Sequence, residues 1–168
     1  VESPTYHLLP LEGDSRYREE SLGSARIVYA NEIGDHIRIK SGAPFGTPSD
    51  NALSVWILEK QAIALAIQIG DTFELAEVGP RTGEPFLIKI VGFWEPLDTQ
   101  DIFWYRDPYI HFESSFLTTA ELYEAHVYPR VPGKTGFTFW YFVLDDASLN
   151  LNHAEKYIAG LENVAREV

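Results

Sequence analysis

The clearest pattern of apolar and polar positions lies between residues 51 and 94. Leu53–Leu58 is apolar at nearly every position, which predicts a strand buried on both faces. Apolar residues at helical spacing follow as far as Gly70, and they predict a short helix that ends at this glycine. Thr72–Val78 and Phe86–Trp94 then predict two antiparallel strands joined by a long loop. We therefore expect a strand, a helix and a hairpin in that order.

The patterns on either side of this stretch are weaker. The first 25 residues show little periodicity. Elsewhere the sequence predicts two strands, a helix that begins with a capping box formed by Thr118 and Glu121, an aromatic-rich strand and a final amphipathic helix. These elements are Ala25–Tyr29, His36–Lys40, Thr118–Val127, Phe137–Leu144 and the segment that follows Asn152. Together they indicate the α+β class.

Composition and charge exclude several classes of protein. The chain has 168 residues, of which 45% are hydrophobic and 14% aromatic, enough to fold as one domain or two small lobes. Its 25 acidic and 13 basic side chains give a net charge of −12, so we expect no binding to nucleic acid. It contains no cysteine, which excludes disulfides, thiolate nucleophiles and cysteine zinc sites.

The start of the chain and its apolar segments suggest a piece of a longer protein. The sequence begins with Val1 rather than Met, and no run approaches the roughly 18–20 apolar residues that span a bilayer. We therefore expect a soluble segment of a longer protein.

Motifs for catalysis and metal binding are weak. Gly133–Thr135 matches the end of a phosphate-binding loop, but Tyr128 stands where that loop needs its first glycine, which favours a plain turn. His126 follows Glu121 and Glu124 on one predicted helix, a spacing more typical of a solvated face than of a zinc site. The sequence therefore predicts no catalytic residue, no metal and no cofactor.

The aromatic and acidic segment 94–112 has two interpretations. One is an irregular second core, in which the rings cover one end of a sheet, since packing is the commoner role of aromatic residues. The other is an exposed contact surface with an acidic rim, because Trp and Tyr are enriched at binding hot spots. The candidate contact residues are Trp94, Trp104, Tyr105 and Tyr109.

An alternative function for the same segment is that of a secreted domain that binds or hydrolyses carbohydrate. Trp94 and Trp104 would stack on sugar rings, and Glu95 and Asp101 would form the carboxylate pair. Catalytic pairs normally lie far apart in sequence, and nothing in the sequence fixes the separation of these two. A role without catalysis is therefore favoured.

The order of segments over residues 35–168 resembles the extracytoplasmic domain of ABC transporter permeases of the MacB/FtsX type. The stretches that carry the resemblance are His36–Pro44 (HIRIKSGAP), Asn51–Asp71 (NALSVWILEKQAIALAIQIGD), Thr72–Trp94 (TFELAEVGPRTGEPFLIKIVGFW) and Phe137–Val164. They are similar, in this order, to the family's Gly-x-x-Pro-like turn, to its strand, short helix and Gly-Asp turn, to its two-strand continuation, and to its last strand and helix.

The resemblance implies a fold of two lobes. A porter-like α/β lobe would comprise residues 1–48 and 109–168, and a small, mostly β lobe of the Sabre type, residues 49–108, would be inserted between them. The glycines and prolines of residues 42–48 independently predict a loop at the first crossing.

The resemblance also implies a function in which this domain is not an enzyme. The domain would stand on the extracytoplasmic face of the plasma membrane, anchored by transmembrane helices that flank it. It would couple cytoplasmic ATP hydrolysis, by conformational change, to export or extraction of a substrate or to signalling. Its partners would be a second permease copy in a dimer, a cytoplasmic ATPase that acts through the membrane helices, and an exported substrate or envelope protein.

Overall fold

Residues 1–11, 13–17, 21–77, 85–131, 137–139, 153 and 155–160 are described by the computed structural model of the chain. The strands formed by these residues are β1 Tyr6–Pro10, β2 Ser24–Val28, β3 Ile37–Gly42, β4 Leu53–Leu58, β5 Thr72–Ala76, β6 Phe86–Pro96 and β7 Ser115–Leu117. The helices are α1 Glu59–Ala64, α2 Pro108–His111 and α3 Ala120–His126, with short 3-10 turns at Ile33–Asp35 and Tyr128–Arg130 and a further helical segment at 155–160.

Six of these strands form a closed barrel. Neighbouring strands are hydrogen-bonded in the order β6, β4, β7, β2, β1 and β5, and the pairing of β5 with β6 closes the ring. The pairs β2–β7 and β4–β6 are parallel, and the other pairs of the ring are antiparallel. β3 lies outside the ring and pairs with β6.

β6 closes the barrel because it is long enough to pair with two strands along one edge. Its first half pairs with β5, where Phe73 lies opposite Ile88. Its second half pairs with β3, where Ile39 lies opposite Trp94. The other edge of β6 pairs with β4 over the whole of that strand. β6 is therefore the strand that joins the barrel to the extra strand.

The predicted two-lobed α+β fold, with a porter-like α/β lobe and an inserted Sabre-like lobe, is wrong. The chain instead forms a closed six-stranded barrel with one extra strand and a few short helices. The reason is that strands from residues 1–48, 49–108 and 109–168 hydrogen-bond to one another, β1 with β5 and β4 with β7. Two separate lobes would have to satisfy the backbone groups of these strands independently.

The barrel has an inner and an outer apolar core. Alternate residues of β4 point to opposite faces, so Leu53, Val55 and Ile57 belong to the inner cluster, whereas Trp56 and Leu58 belong to the outer one. All of these side chains are buried. The prediction of a strand buried on both faces is confirmed.

Gly92 in β6 makes room for Trp56 of the outer core. A Cβ atom at residue 92 would lie 2.6 Å from Cδ1 of Trp56 and 3.0 Å from the carbonyl oxygen of Ser41. The register of β4 against β6 also shifts at this point, between Val55 and Trp56. The strand needs a glycine here because the indole approaches its backbone closely.

The strand, helix and hairpin predicted for residues 51–94 are confirmed, although the helix is shorter than its apolar pattern. α1 ends at Ala64, and Ala66 has a left-handed backbone with φ of 54°. The Ile67 N–H donates to the carbonyl of Ala62 at 2.9 Å beyond this point. The apolar residues that follow therefore lie in a turn rather than on a helix face.

The capping box predicted for α3 is displaced by one residue. The helix is capped by Thr119, whose side-chain oxygen accepts a hydrogen bond from the Leu122 N–H at 3.3 Å. Thr118 is instead buried, and its hydroxyl donates to the carbonyl of Ser54 at 3.0 Å. Thr118 therefore connects β7 to β4, and the helix starts one residue later than predicted.

Two strands have no counterpart in the predicted elements, β1 and β7. They contain five and three residues, respectively, too few to display a clear period. Of the strand predicted over 137–144, only residues 137–139 are described, and they are not in a strand. The last predicted helix is described over 155–160, where it is helical.

Candidate contact surface

The segment 97–112, which we call the aromatic loop, follows β6 and includes α2. Aspartates shape its turns by accepting a hydrogen bond from a backbone N–H two residues ahead. These bonds, all of 2.9 Å, join Asp98 to Gln100, Asp101 to Phe103 and Asp107 to Tyr109. Aspartate favours such turns because its short side chain reaches the nearby backbone. The acids expected to form a polar rim thus fix the backbone of the loop.

His36, just before β3, fastens the aromatic loop to the barrel. Its Nδ1 lies 2.7 Å from Oδ2 of Asp101, and its ring stacks on Phe103 with the centroids 3.8 Å apart. The carbonyl of His36 also accepts a hydrogen bond from the Leu97 N–H at 2.9 Å. The Phe103 N–H and, after it, the His36 imidazole lower the pKa of Asp101 below its ordinary value. The middle of the loop is therefore held both by its own backbone and by the barrel.

The inner side of the aromatic loop forms part of the outer core. Trp104 stacks on Trp94 with ring centroids 6.4 Å apart, and Phe112 meets Trp94 edge-on at 5.3 Å. Trp94 and Phe112 are buried, whereas Trp104 is half-buried and donates from Nε1 to the carbonyl of Asp98 at 2.9 Å. This side of the loop therefore packs as part of a core, which is one of the two interpretations given for residues 94–112.

The outer side of the aromatic loop carries large apolar side chains that are mostly exposed. The exposed fractions are 51% for Leu97, 69% for Ile102, 70% for Tyr105 and 63% for Ile110. We call these four residues the outer face. Single apolar residues are ordinary on protein surfaces, but four exposed ones on one short loop make this loop a candidate contact site.

The four contact residues proposed from the sequence are divided between the two sides of the loop. Trp94 is fully buried, and Trp104 and Tyr109 are half-buried. Tyr105 exposes most of its ring. Tyr109 also lies under the ammonium group of Lys60, whose Nζ is 5.7 Å from the ring centre. Of the four, Tyr105 offers a partner the largest part of its side chain.

Leu97, Ile102 and Ile110 were not among the contact residues proposed from the sequence, because only aromatic residues were considered for that role. The signal that could have found two of them is their position beside turn-forming aspartates. Leu97 precedes Asp98, and Ile102 follows Asp101. An aliphatic residue inside a surface turn is difficult to bury, since the chain reverses before the side chain can reach a core.

The two carboxylates considered for sugar hydrolysis have separate basic partners. Glu95 lies 3.2 Å from Nε of Arg38 and 3.2 Å from Nζ of Lys40, both on β3. Asp101 is paired with His36, as described above. Each acid therefore supports the attachment of a neighbouring segment, one that of β3 and the other that of the aromatic loop.

His111, at the end of α2, connects the aromatic loop to the first residues of the chain. Its Nδ1 accepts a hydrogen bond from Nε of Arg106 at 3.1 Å, and its Nε2 lies 4.0 Å from Oε1 of the buried Glu2. The other oxygen of Glu2 is 2.9 Å from the guanidinium of Arg26. Burial and, after it, the charge of Arg106 lower the pKa of His111, so the ring is neutral near pH 7.

Among the described residues, no group of three or more histidine, aspartate and glutamate side chains is placed to hold a metal ion. His126 is half-buried on α3, while Glu121 and Glu124 of the same helix are exposed. The phosphate-loop fragment Gly133–Thr135 lies outside the described residues.

No protein-family model, no curated protein and no solved structure matches the chain. Within the described ranges, no helix combines the length and the apolar content needed to cross a membrane. The interpretation of the site therefore depends on its geometry and on the sequence resemblance over residues 35–168.

Proposed function

We propose that the chain is a non-catalytic, extracytoplasmic domain of an ABC transporter permease, and that its outer face contacts an exported substrate or an envelope protein. The observation that carries the contact role is the set of exposed apolar side chains on a loop whose backbone is already fixed. Such a surface loses little conformational entropy when it binds, because the loop is ordered beforehand. This role needs no catalytic group in the domain.

The assignment to the transporter class is supported by the sequence resemblance. Its two adjoining stretches, Asn51–Asp71 and Thr72–Trp94, form consecutive elements of the barrel, from β4 through α1 and β5 to β6. The two-lobed arrangement that the resemblance implied is not part of this proposal, because strands from all parts of the chain share one sheet.

In the proposed mechanism the barrel moves as a unit and carries the outer face with it. Closed hydrogen bonding around the ring and buried side chains on both faces of β4 resist internal deformation. ATP hydrolysis in a cytoplasmic subunit would displace the membrane helices, and the barrel would transmit that displacement to the bound partner. A second permease copy completes the assembly.

The location can be tested by labelling a cysteine introduced at Thr99, an exposed position of the aromatic loop. The native chain has no cysteine, so in the full-length protein, with any cysteine outside this chain replaced, the label reports this position. A maleimide that does not cross membranes should label Thr99→Cys in intact cells. A cysteine in place of the fully buried Val55 is the matched control and should stay unlabelled until denaturation. Labelling of Thr99→Cys only after lysis would contradict an extracytoplasmic location.

The transporter class can be tested on the full reading frame. We expect apolar helices of about 20 residues immediately before and after this segment. Polar, soluble sequence on both sides would refute the assignment to a permease but would leave the contact role of the outer face open to its own test.

A further inference from the structure

A cavity of about 390 Å³ opens where β4 and β6 begin, beside the end of α3. Its apolar lining includes Leu53 and Phe86, both of them buried. Its polar lining includes Asn51, His126 and Arg130. The volume lies within the range of pockets that bind small molecules, and the cavity is open to solvent with a lining shared between polar and apolar surface.

Arg130 is held in place at this cavity by two contacts. Its guanidinium lies over the ring of Phe86, with Cζ 4.9 Å from the ring centre. Its Nη1 donates to the carbonyl of His126 at 3.1 Å. A guanidinium has five N–H donors, so this bond leaves others for a ligand. The contacts therefore position a cation with spare donors at the edge of an apolar surface.

The charge of the cavity is opposite to that of the chain. The chain carries a net charge of −12, yet none of the described residues that line the cavity is acidic. The polar side chains of the described lining are the guanidinium of Arg130, the imidazole of His126 and the amide of Asn51. A group of negative charge is the ligand chemistry that such a site favours.

Tyr6 does not line the cavity, but it packs against Phe86, which does. Its side chain is buried, and its hydroxyl has no hydrogen-bond partner among the described residues. Its ring meets Phe86 edge-on, with centroids 5.8 Å apart. Burial, reinforced by the charge of Glu77, raises the pKa of Tyr6 to about 12, whereas Arg130 acts in the opposite direction. The hydroxyl is therefore protonated at neutral pH, and because it is buried it supports the packing of Phe86 rather than a contact with a ligand.

We infer that this end of the barrel binds a small organic carboxylate with an apolar body. The apolar part lies against Leu53 and Phe86, and the carboxylate lies on the guanidinium of Arg130 with His126 beside it. Guanidinium and carboxylate match in a planar, bidentate pair. This site is separate from the outer face and does not depend on the transporter assignment.

The test is a titration of the 168-residue chain, followed by two-dimensional NMR of its backbone amides. Phenylacetate should produce saturable shifts at Leu53 and Phe86. Phenethylammonium, which has a similar ring and the opposite charge, should not saturate. Inorganic phosphate, which has charge but no apolar body, should bind more weakly than phenylacetate. Absence of saturation by phenylacetate, or binding of phenethylammonium or phosphate as tight as that of phenylacetate, would overturn the inference.

Two variants locate the site. Arg130→Gln should weaken phenylacetate binding by about tenfold or more, because it removes a charge-assisted hydrogen bond. Arg130 is exposed, so this variant should stay folded, with a melting temperature within a few degrees of that of the wild type. Asn51→Trp, at another exposed lining residue, should also reduce binding by filling the opening. Arg38→Gln, on β3, is the matched control and should bind as the wild type does. Wild-type affinity in both test variants would contradict the site.

Discussion

The imidazole of His36 and the ring of Phe103 lie face to face, with centroids 3.8 Å apart and planes within 6° of parallel. The residues are far apart in the sequence, one just before β3 and the other in the aromatic loop. The same imidazole lies 2.7 Å from the carboxylate of Asp101. One side chain therefore fixes the loop that carries the outer face, through a stacked ring and through a hydrogen bond.

Replacement of His36 should loosen the aromatic loop. His36→Ala removes the stack on Phe103 and the partner of Asp101, and we expect it to lower the free energy of unfolding by about 1 kcal/mol. Amide hydrogen exchange should accelerate over residues 97–107 more than in the barrel strands. His7→Ala, an exposed histidine on β1, is the matched control and should leave both measurements unchanged. Equal exchange in the loop of both variants would show that His36 does not hold it.

Acid should release the same attachment. The pKa of Asp101 is lowered in the folded chain by the Phe103 N–H and by His36, so its ionised form stabilises the fold. This contribution is complete above the ordinary pKa of 3.8 and is lost as the pH falls through the lower pKa of the folded state. Wild type should therefore be more stable than Asp101→Asn near neutral pH, and the difference should shrink below about pH 3.8. Urea unfolding of both proteins at several pH values measures this difference in the free energy of unfolding. A difference that grows as the pH falls would contradict the predicted direction.

The order of elements over residues 51–94 could be predicted because β4 is buried on both faces, which leaves a continuous apolar run. Closure of the barrel could not be predicted. It depends on β6, which changes its partner from β5 to β3 midway along one edge, and on the short strands β1 and β7. Alternation along a strand shows which face is buried, but it does not show which strand lies beside it.

In the aromatic loop, the side to which each residue points could not be predicted from the sequence either. Trp104 and Tyr105 are consecutive aromatic residues, yet the first is half-buried and the second is 70% exposed. The loop has no repeating backbone geometry, so spacing along the sequence does not predict the side to which a residue points. The turns closed by Asp98 and Asp101 determine the side to which each residue points. From the sequence, these two aspartates could be recognised only as turn-forming residues.

The two sides of the aromatic loop should respond differently to mutation. Ile102→Ser and Tyr105→Ser remove exposed outer-face side chains and should together change the free energy of unfolding by less than about 1 kcal/mol. Phe112→Ala removes a buried ring that meets Trp94 edge-on and should cost about 3–5 kcal/mol. Urea unfolding checks both values. A large loss of stability in the double variant would mean that the outer face belongs to the core.

The contact between Gly92 and Trp56 should be sensitive to a single methyl group. Gly92→Ala places a Cβ atom 2.6 Å from the indole, and relief of this overlap must move either the side chain or the strand. We expect the free energy of unfolding to fall by about 1–3 kcal/mol. Gly160→Ala is the control, because a Cβ atom there meets nothing within 4 Å and the residue is helical. That variant should be neutral or slightly stabilising, and an equal effect of the two substitutions would contradict the packing described for Gly92.

The proposed contact of the outer face with an exported substrate or an envelope protein can be tested in living cells. The most direct measurement places a photo-cross-linking amino acid at Ile102 in the full-length protein in living cells and identifies the products by mass spectrometry. Leu11, an aliphatic residue that is 39% exposed beyond the end of β1, is the control position. We predict cross-links from position 102 to an exported substrate or an envelope protein, and none above background from position 11. Equal products from both positions, or none from position 102, would contradict the claim.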